Sequence, residues 1–157
     1  MVDTQILAGK RILVVDDEPD ILESVEDVLN MCAVETASEY EAASKLLNSE
    51  RYDIVVLDIM GVKGYELLDI ANEQGVPAVM LTAHALSADN FAKSMKKGAY
   101  AYLPKDKLFE IDVFLAEILE EGNKKAGLLG KWFNRLKGYY ENKFGPGWLE
   151  EYKGSWQ

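Results

Sequence analysis

The chain has 157 residues, of which 48% are hydrophobic, and it carries a net charge of −10 and one cysteine. This length suits one domain with a short appendage, and the apolar content is sufficient for a buried core. A lone cysteine excludes an internal disulfide and fits a reducing compartment. Because no signal peptide is evident and no run approaches the ~20 apolar residues of a membrane span, we expect a cytoplasmic protein.

The charge is distributed unevenly along the chain. Residues 1–122 contain 10 Lys+Arg and 24 Asp+Glu, a net charge of −14, whereas residues 123–157 contain 7 and 3, a net charge of +4. An acidic body argues against nucleic-acid binding, which depends on a basic surface. We therefore predict one domain over residues 1–122 and a separate tail over residues 123–157.

Short apolar segments alternate with amphipathic segments of helical periodicity. The predicted strands are residues 10–16, 33–37, 51–58, 76–82 and 99–103. The predicted helices are residues 18–31, a segment that starts at the capping-box pattern of Ser38 and Glu41, and residues 65–72, 86–97 and 106–121. This alternation predicts a doubly wound α/β fold with a five-stranded parallel sheet.

Polar residues of different kinds follow four of the predicted strands. The acidic pair Asp16-Asp17, the single carboxylate Asp58, the hydroxyl of Thr82 and the ammonium of Lys105 each stand at or just after a strand end. Because the carboxyl ends of parallel strands meet at one edge of the sheet, where ligands of such folds bind, we expect these groups to converge on one crevice.

The chemistry of this crevice favours a metal and a phosphoryl group. The acidic turn at residues 16–20 would repel a phosphate, so nucleotide and flavin binding are excluded. Carboxylate oxygens suit Mg²⁺, and Mg²⁺ with Lys105 would neutralise three ionised aspartates. A carboxylate could then attack a phosphoryl donor, with Thr82 and Lys105 holding the phosphoryl oxygens. Spacing alone leaves open which aspartate is attacked, although Asp58 stands alone at its strand end.

These motifs, in this order, resemble the receiver domain of bacterial two-component response regulators (CheY-like). The resemblance rests on DD at residues 16–17, VVLD ending at Asp58, MLTA with Thr82 and GAYAYLPK with Lys105, and it covers roughly residues 10–121. It implies the strand order 2-1-3-4-5 and a signalling protein rather than an enzyme.

The resemblance also implies a role for each site residue. Asp58 would accept a phosphoryl group from a histidine kinase or phosphotransfer protein, and Thr82 and Lys105 would bind that group. Mg²⁺ would be held by Asp16, Asp17, Asp58 and the backbone carbonyl of Met60. Tyr102 falls at the aromatic switch position of the family.

The loop after Asp58 departs from the pattern of the family. Family members usually have a proline four residues after the acceptor and a glycine eight residues after it. Here there is no proline, and Gly64 comes six residues after Asp58, so the loop is shortened by two residues.

The resemblance leads to a hypothesis about signalling. A phosphoryl group on Asp58 would draw the Thr82 hydroxyl inward, and Tyr102 would rotate into the space that it leaves. This rotation would remodel the face made by the fourth helix, the fifth strand and the fifth helix, and so change binding of a downstream protein.

The tail carries an aromatic stripe at helical spacing within residues 126–144, formed by Leu129, Trp132, Phe133, Leu136, Tyr140 and Phe144. Three interpretations compete: a sixth helix folded back on the acidic domain, a surface for homodimerisation or for another protein, and an amphipathic helix on an anionic membrane. The acidic body makes the membrane less favourable. The absence of a recognition-helix pattern argues against DNA binding, so we expect a protein–protein output.

Two alternatives to a phosphorylated response regulator stay open. One is a receiver-like scaffold or dimerisation module that is not phosphorylated, for which the shortened loop is the support. The other is a Mg²⁺-dependent phosphatase of the haloacid-dehalogenase type, which would need Asp-x-Asp where this chain has Asp16-Asp17-Glu18.

Overall fold

The computed structural model describes residues 3–122 and 130–152, and its centre is a five-stranded parallel sheet. The strands are β1 Arg11–Val15, β2 Ala33–Ala37, β3 Ile54–Leu57, β4 Ala78–Thr82 and β5 Ala101–Pro104. Their order is β2-β1-β3-β4-β5, so the predicted fold class and strand order are confirmed. All residues of β3, β4 and β5 are buried, as expected for a sheet covered by helices on both faces.

Seven α-helices surround the sheet or follow it in the described part of the chain. They are α1 Pro19–Val28, α2 Tyr40–Ser49, α3 Gly64–Gln74, α4 Ala88–Lys96, α5 Ile111–Glu121, α6 Lys131–Phe144 and α7 Trp148–Tyr152. Short 3₁₀ helices at Thr4–Leu7 and Lys105–Glu110 precede β1 and α5. The five predicted β–α units are therefore present.

Two local predictions need correction. The capping box of Ser38 and Glu41 does not form, because α2 begins one residue later than expected and Glu39 occupies the N-cap without a side-chain hydrogen bond. The predicted fifth helix is interrupted, since the Lys105–Glu110 segment is 3₁₀ and Lys107 has non-helical dihedral angles before α5 begins at Ile111.

The part of the tail that the structure describes folds onto the sheet domain. The side chains of Trp132, Phe133, Leu136 and Tyr140 on α6 are buried, and they belong to the same hydrophobic core as the strands. This is the arrangement expected from the first of the three interpretations of the tail. Leu129 lies outside the described residues, and the domain boundary at residue 122 remains a prediction.

Helix α7 was not expected from the sequence, because five residues are too few to show a helical period. It follows the Gly145-Pro146-Gly147 stop and buries Trp148 against the same core. Among the described helices, none has the length and apolar character needed to cross a membrane.

Candidate phosphorylation site

The ends of β1 and β3 bring two carboxylates together. The backbone N–H of Asp58 donates to Val15 O at 2.9 Å, and that of Asp16 donates to Ala37 O at 3.1 Å, so both residues continue the ladder of the sheet by one position. Asp16 is only 1% exposed and Asp58 only 6% exposed. Two carboxylates separated by 42 positions in sequence therefore share a buried strand edge, as the parallel topology predicted.

Lys105 connects these carboxylates. Its Nζ atom lies 2.8 Å from Asp16 Oδ2, 2.8 Å from Glu18 Oε1 and 3.6 Å from Asp58 Oδ1. The lysine is itself buried, and it stands directly after β5, which is separated from β1 by the two strands β3 and β4. The predicted convergence of Asp16, Asp58 and Lys105 is therefore present in the structure.

Asp17 is in contact with the shortened loop after β3. A Cβ atom built on Gly61 would lie 2.4 Å from Asp17 Oδ2, and Gly61 has a φ of 86°. Only glycine combines this backbone conformation with such a close approach. The loop thus reaches Asp17 without a side chain at residue 61, and Met60, next to it, is 55% exposed.

The glycine six residues after Asp58 also has a steric reason. A Cβ atom on Gly64 would lie 2.0 Å from the carbonyl oxygen of Asp58, so the first turn of α3 passes directly against the backbone of Asp58. Lys63 precedes it in a left-handed conformation with a φ of 55°, which closes the short loop. The shortened loop therefore retains close packing beneath Asp58.

The electrostatics of the pocket follow from burial and from like charges. Burial, and then the neighbouring charge of Asp16, raise the pKa of Asp58 to about 6. Burial also raises the pKa of Asp16, although the close contact with the Lys105 ammonium opposes this shift. Burial lowers the pKa of Lys105, but its contacts with Asp16 and Glu18 outweigh burial and raise it overall, so this lysine remains an ammonium.

The acidic residues after β1 fit a divalent cation. Carboxylate oxygens of Asp16, Asp17 and Glu18 lie within 4.8 Å of one another. Asp16 Oδ2 is buried and, although it contacts Lys105, accepts no well-oriented hydrogen bond, so it retains capacity for a further ligand. Oxygen donors of this kind are those that Mg²⁺ prefers.

Glu18 was not among the metal ligands expected from the sequence, although its position as the third consecutive acidic residue after β1 was a usable signal. Among the described residues, Asp58 is not part of this group of three. It faces the group from β3, with Lys105 in contact with both sides.

Thr82 ends β4 and is 1% exposed, and its Oγ1 accepts a hydrogen bond from Ala85 N at 3.2 Å. The Tyr102 ring on β5 is fully buried, and its hydroxyl donates to Ala85 O at 2.6 Å and accepts from Ser87 N at 3.1 Å. The hypothesis expected Tyr102 to rotate inward, but here the ring already lies inside. The loop after β4 thus connects Thr82 with Tyr102.

The comparison with known proteins agrees with this geometry. A family model described as "Response regulator receiver domain" matches residues 12–117, which is well over half of the chain. The chain belongs to this family. A receiver domain of the CheY-like type from Methanospirillum hungatei JF-1 shares 31% identity and a TM-score of 0.60 with it, over 73% of this chain and 99% of that one.

Curated relatives that match this chain include response regulators from a plant and a bacterium. The two-component response regulator ARR18 of Arabidopsis thaliana is 34% identical over 62% of this chain and 16% of its own length. The heme response regulator HssR of Staphylococcus aureus (strain Newman) is 40% identical over 49% of this chain and 37% of its own length. The chain thus spans well under half the length of these relatives, which are named as regulators.

Proposed function

We propose that this protein is a phosphoacceptor response regulator of a two-component system, phosphorylated on Asp58 in a Mg²⁺-dependent reaction. The observation that supports the proposal best is the buried contact of Lys105 with both Asp16 and Asp58. A cation that holds two carboxylates from different strands marks the place where a phosphoryl group can be accommodated.

The residues have distinct roles in the proposed reaction. An oxygen of Asp58 attacks the phosphorus of a phosphohistidine on a histidine kinase or phosphotransfer protein. The P–N bond breaks, its electron pair stays on the imidazole nitrogen, and a P–O bond to Asp58 forms. Lys105 and the Thr82 hydroxyl bind phosphoryl oxygens. Catalysis then consists mainly of positioning the phosphoryl group and neutralising its charge.

Asp16 and Asp17 would hold the Mg²⁺, with Asp58, the Met60 carbonyl and, from the structure, Glu18 as further ligands. The bound ion would supply positive charge that offsets the repulsion between an acidic pocket and an incoming phosphoryl donor. In the absence of the ion, burial and the neighbouring carboxylates disfavour a further negative charge, which is why the pKa of Asp58 is raised.

The proposed output is a change in protein binding through the face formed by α4, β5 and α5, through α6 and α7, or through both. Such a protein would act in the cytoplasm, where its kinase presents the phosphohistidine, and its downstream target would be another protein. This role needs no enzymatic activity on a separate substrate.

The test is phosphoryl transfer from acetyl phosphate in the presence of Mg²⁺, followed by intact mass measurement. Wild type should gain the mass of one phosphoryl group, Asp58→Asn should gain none, and EDTA should abolish the gain. Asp69→Asn is a matched control, because Asp69 is an exposed carboxylate paired with Lys97 away from the pocket. Absence of any gain in wild type would favour an unphosphorylated scaffold, and turnover of a phosphomonoester would favour a phosphatase.

A further inference from the structure

The face formed by α4, β5 and α5 is covered by α6 and α7, and Phe91 of α4 is the centre of the contact. Among the described residues, its ring centroid lies 5.0–6.0 Å from the rings of Tyr102, Trp132, Phe133, Tyr140 and Trp148. All six of these residues are at most 5% exposed. Aromatic rings in offset or edge-to-face contact contribute both buried area and specific geometry, so this is a well-packed interface.

Charge complementarity surrounds the aromatic contact. Arg135 Nε of α6 lies 2.8 Å from Glu117 of α5, whose side chain is only 3% exposed, and Lys131 Nζ lies 3.1 Å from Glu120. These pairs join the basic tail to the acidic domain. The sign change near residue 122 that marked the tail in sequence thus reappears as attraction between α6 and α5.

Two consecutive tyrosines of α6 bind residues on either side of Lys105. The Tyr140 hydroxyl donates to the carbonyl oxygen of Tyr102, and the Tyr139 hydroxyl donates to Asp106 Oδ2 at 2.9 Å. The segment from 102 to 106 therefore contacts α6 at both of its ends, and the lysine of the candidate site lies between these contacts.

A second connection begins at the hydroxyl of the candidate site. Ala85 N donates to Thr82 Oγ1, and Ala85 O accepts from the Tyr102 hydroxyl. The Tyr102 carbonyl in turn accepts from Tyr140 of α6. A continuous series of hydrogen bonds, Thr82 to Ala85 to Tyr102 to Tyr140, thus runs from the pocket to the tail.

We propose that the α6–α7 pair is an intramolecular ligand of the α4–β5–α5 face, and that phosphorylation of Asp58 weakens its docking. This inference rests on the proposed function. The Tyr102 hydroxyl is hydrogen-bonded to Ala85 O and Ser87 N in the loop after β4. Because α6 contacts Tyr102, the docked helices fit the position that this loop has in the structure. A phosphoryl group that draws Thr82 and Lys105 toward Asp58 moves the segment 102–106, which α6 contacts directly, and the loop after β4, which contacts α6 through Tyr102. The docked state then loses contacts that the undocked state does not have.

A consequence is competition for one surface. A second copy of this chain or a target protein that binds the α4–β5–α5 face must replace α6 and α7, so it gains access only when they have left. By linkage, anything that removes the tail from the face also favours phosphorylation of Asp58.

The chain contains its own reporter for this equilibrium. All three of its tryptophans, at residues 132, 148 and 156, lie in the tail, and Trp132 and Trp148 are 2% and 4% exposed. The experiment measures acrylamide quenching of tryptophan fluorescence, together with amide hydrogen exchange of α6. Both use the full chain with Mg²⁺, before and after acetyl phosphate, and the phosphorylated fraction is determined by intact mass on the same sample.

In phosphorylated wild type, exchange of the α6 amides should be faster by about 5-fold or more, the lower end of ordinary coupling between sites, and quenching should increase. Tyr140→Phe interrupts the hydrogen-bond series, so the ratio of exchange rates with and without phosphoryl should fall toward unity while phosphoryl uptake persists. Tyr152→Phe is the matched control: its hydroxyl donates to Asp89 on α4, away from the series, and the ratio should stay as in wild type.

Three results would overturn the inference. One is α6 exchange that is unchanged or slower in phosphorylated wild type. Another is the same ratio for Tyr140→Phe and Tyr152→Phe. The third, a wild-type chain that takes up no phosphoryl group, would overturn the proposed function and this inference with it, and the mass measurement separates that case from the others.

Discussion

The pocket at the strand ends and the aromatic contact beneath α6 are both buried, but their physical character is opposite. The pocket gathers like charges, and burial raises the pKa of Asp58 to about 6. The aromatic contact gathers uncharged rings around Phe91. The pocket destabilises the folded protein and the aromatic contact stabilises it. The candidate reactive groups and the stabilising contact therefore lie in adjacent but separate parts of the molecule.

The largest expected effect is at the aromatic contact. Phe91→Ala should lower the free energy of unfolding by about 3–5 kcal/mol, because a cavity opens among the aromatic rings packed around it. Phe109→Ala is the control, since Phe109 is 73% exposed and its truncation should change stability by less than about 0.5 kcal/mol. Urea unfolding followed by circular dichroism measures both, and equal losses would contradict the assignment of stability to this contact.

The pocket should respond in the opposite sense. The pKa of Asp58 is higher in the folded protein than in the unfolded chain, so the protonated side chain favours folding. This stabilisation is fully present below pH about 4 and is lost as pH rises through about 6. In EDTA, Asp58→Asn should therefore be more stable than wild type at pH 7.5 by about 2–3 kcal/mol. The difference should vanish near pH 4, and a substitution that destabilises at pH 7.5 would show that the pocket does not oppose folding.

Gly61 tests whether the shortened loop positions Asp17. Gly61→Ala should weaken Mg²⁺ binding by about tenfold, a typical cost of disturbing a group that orients a metal ligand. Gly75→Ala is the matched control, because Gly75 also has a positive φ, of 72°, but its Cβ atom would meet nothing within 4 Å. Isothermal titration calorimetry with Mg²⁺ compares the two variants. A similar loss of Mg²⁺ affinity in both would show that backbone strain, and not the contact with Asp17, causes the effect.

The smallest effect concerns the start of α4, next to the loop that connects both regions. Ser87 caps this helix by accepting from Asn90 N at 3.0 Å, so Ser87→Ala should cost about 1 kcal/mol. Ser38→Ala should cost almost nothing, because Ser38 is exposed and its capping box does not form. Thermal unfolding compares the two variants, and a larger loss for Ser38→Ala would restore the prediction made from sequence.

Local residue chemistry was a reliable guide to the strand ends. Apolar runs set the strands, and the polar residue after each run marked the shared edge, so the contacts of Asp16 and Asp58 with Lys105 were predictable. Glu18, which also contacts Lys105 at 2.8 Å, was missed because it lies in the turn between β1 and α1, where the strand pattern no longer indicates the direction of a side chain. The contact between Gly61 and Asp17 was equally out of reach, since no periodicity encodes how closely a loop passes a side chain.

The sequence by itself determined the strands and the acidic edge, because these depend on patterns within a few residues, and the family resemblance supplied the strand order. Only the tertiary structure decided which surface the aromatic stripe of α6 covers. The stripe fits any apolar face, and the choice of the α4–β5–α5 face arises from Phe91, Tyr102 and Glu117, which become neighbours only when the chain has folded.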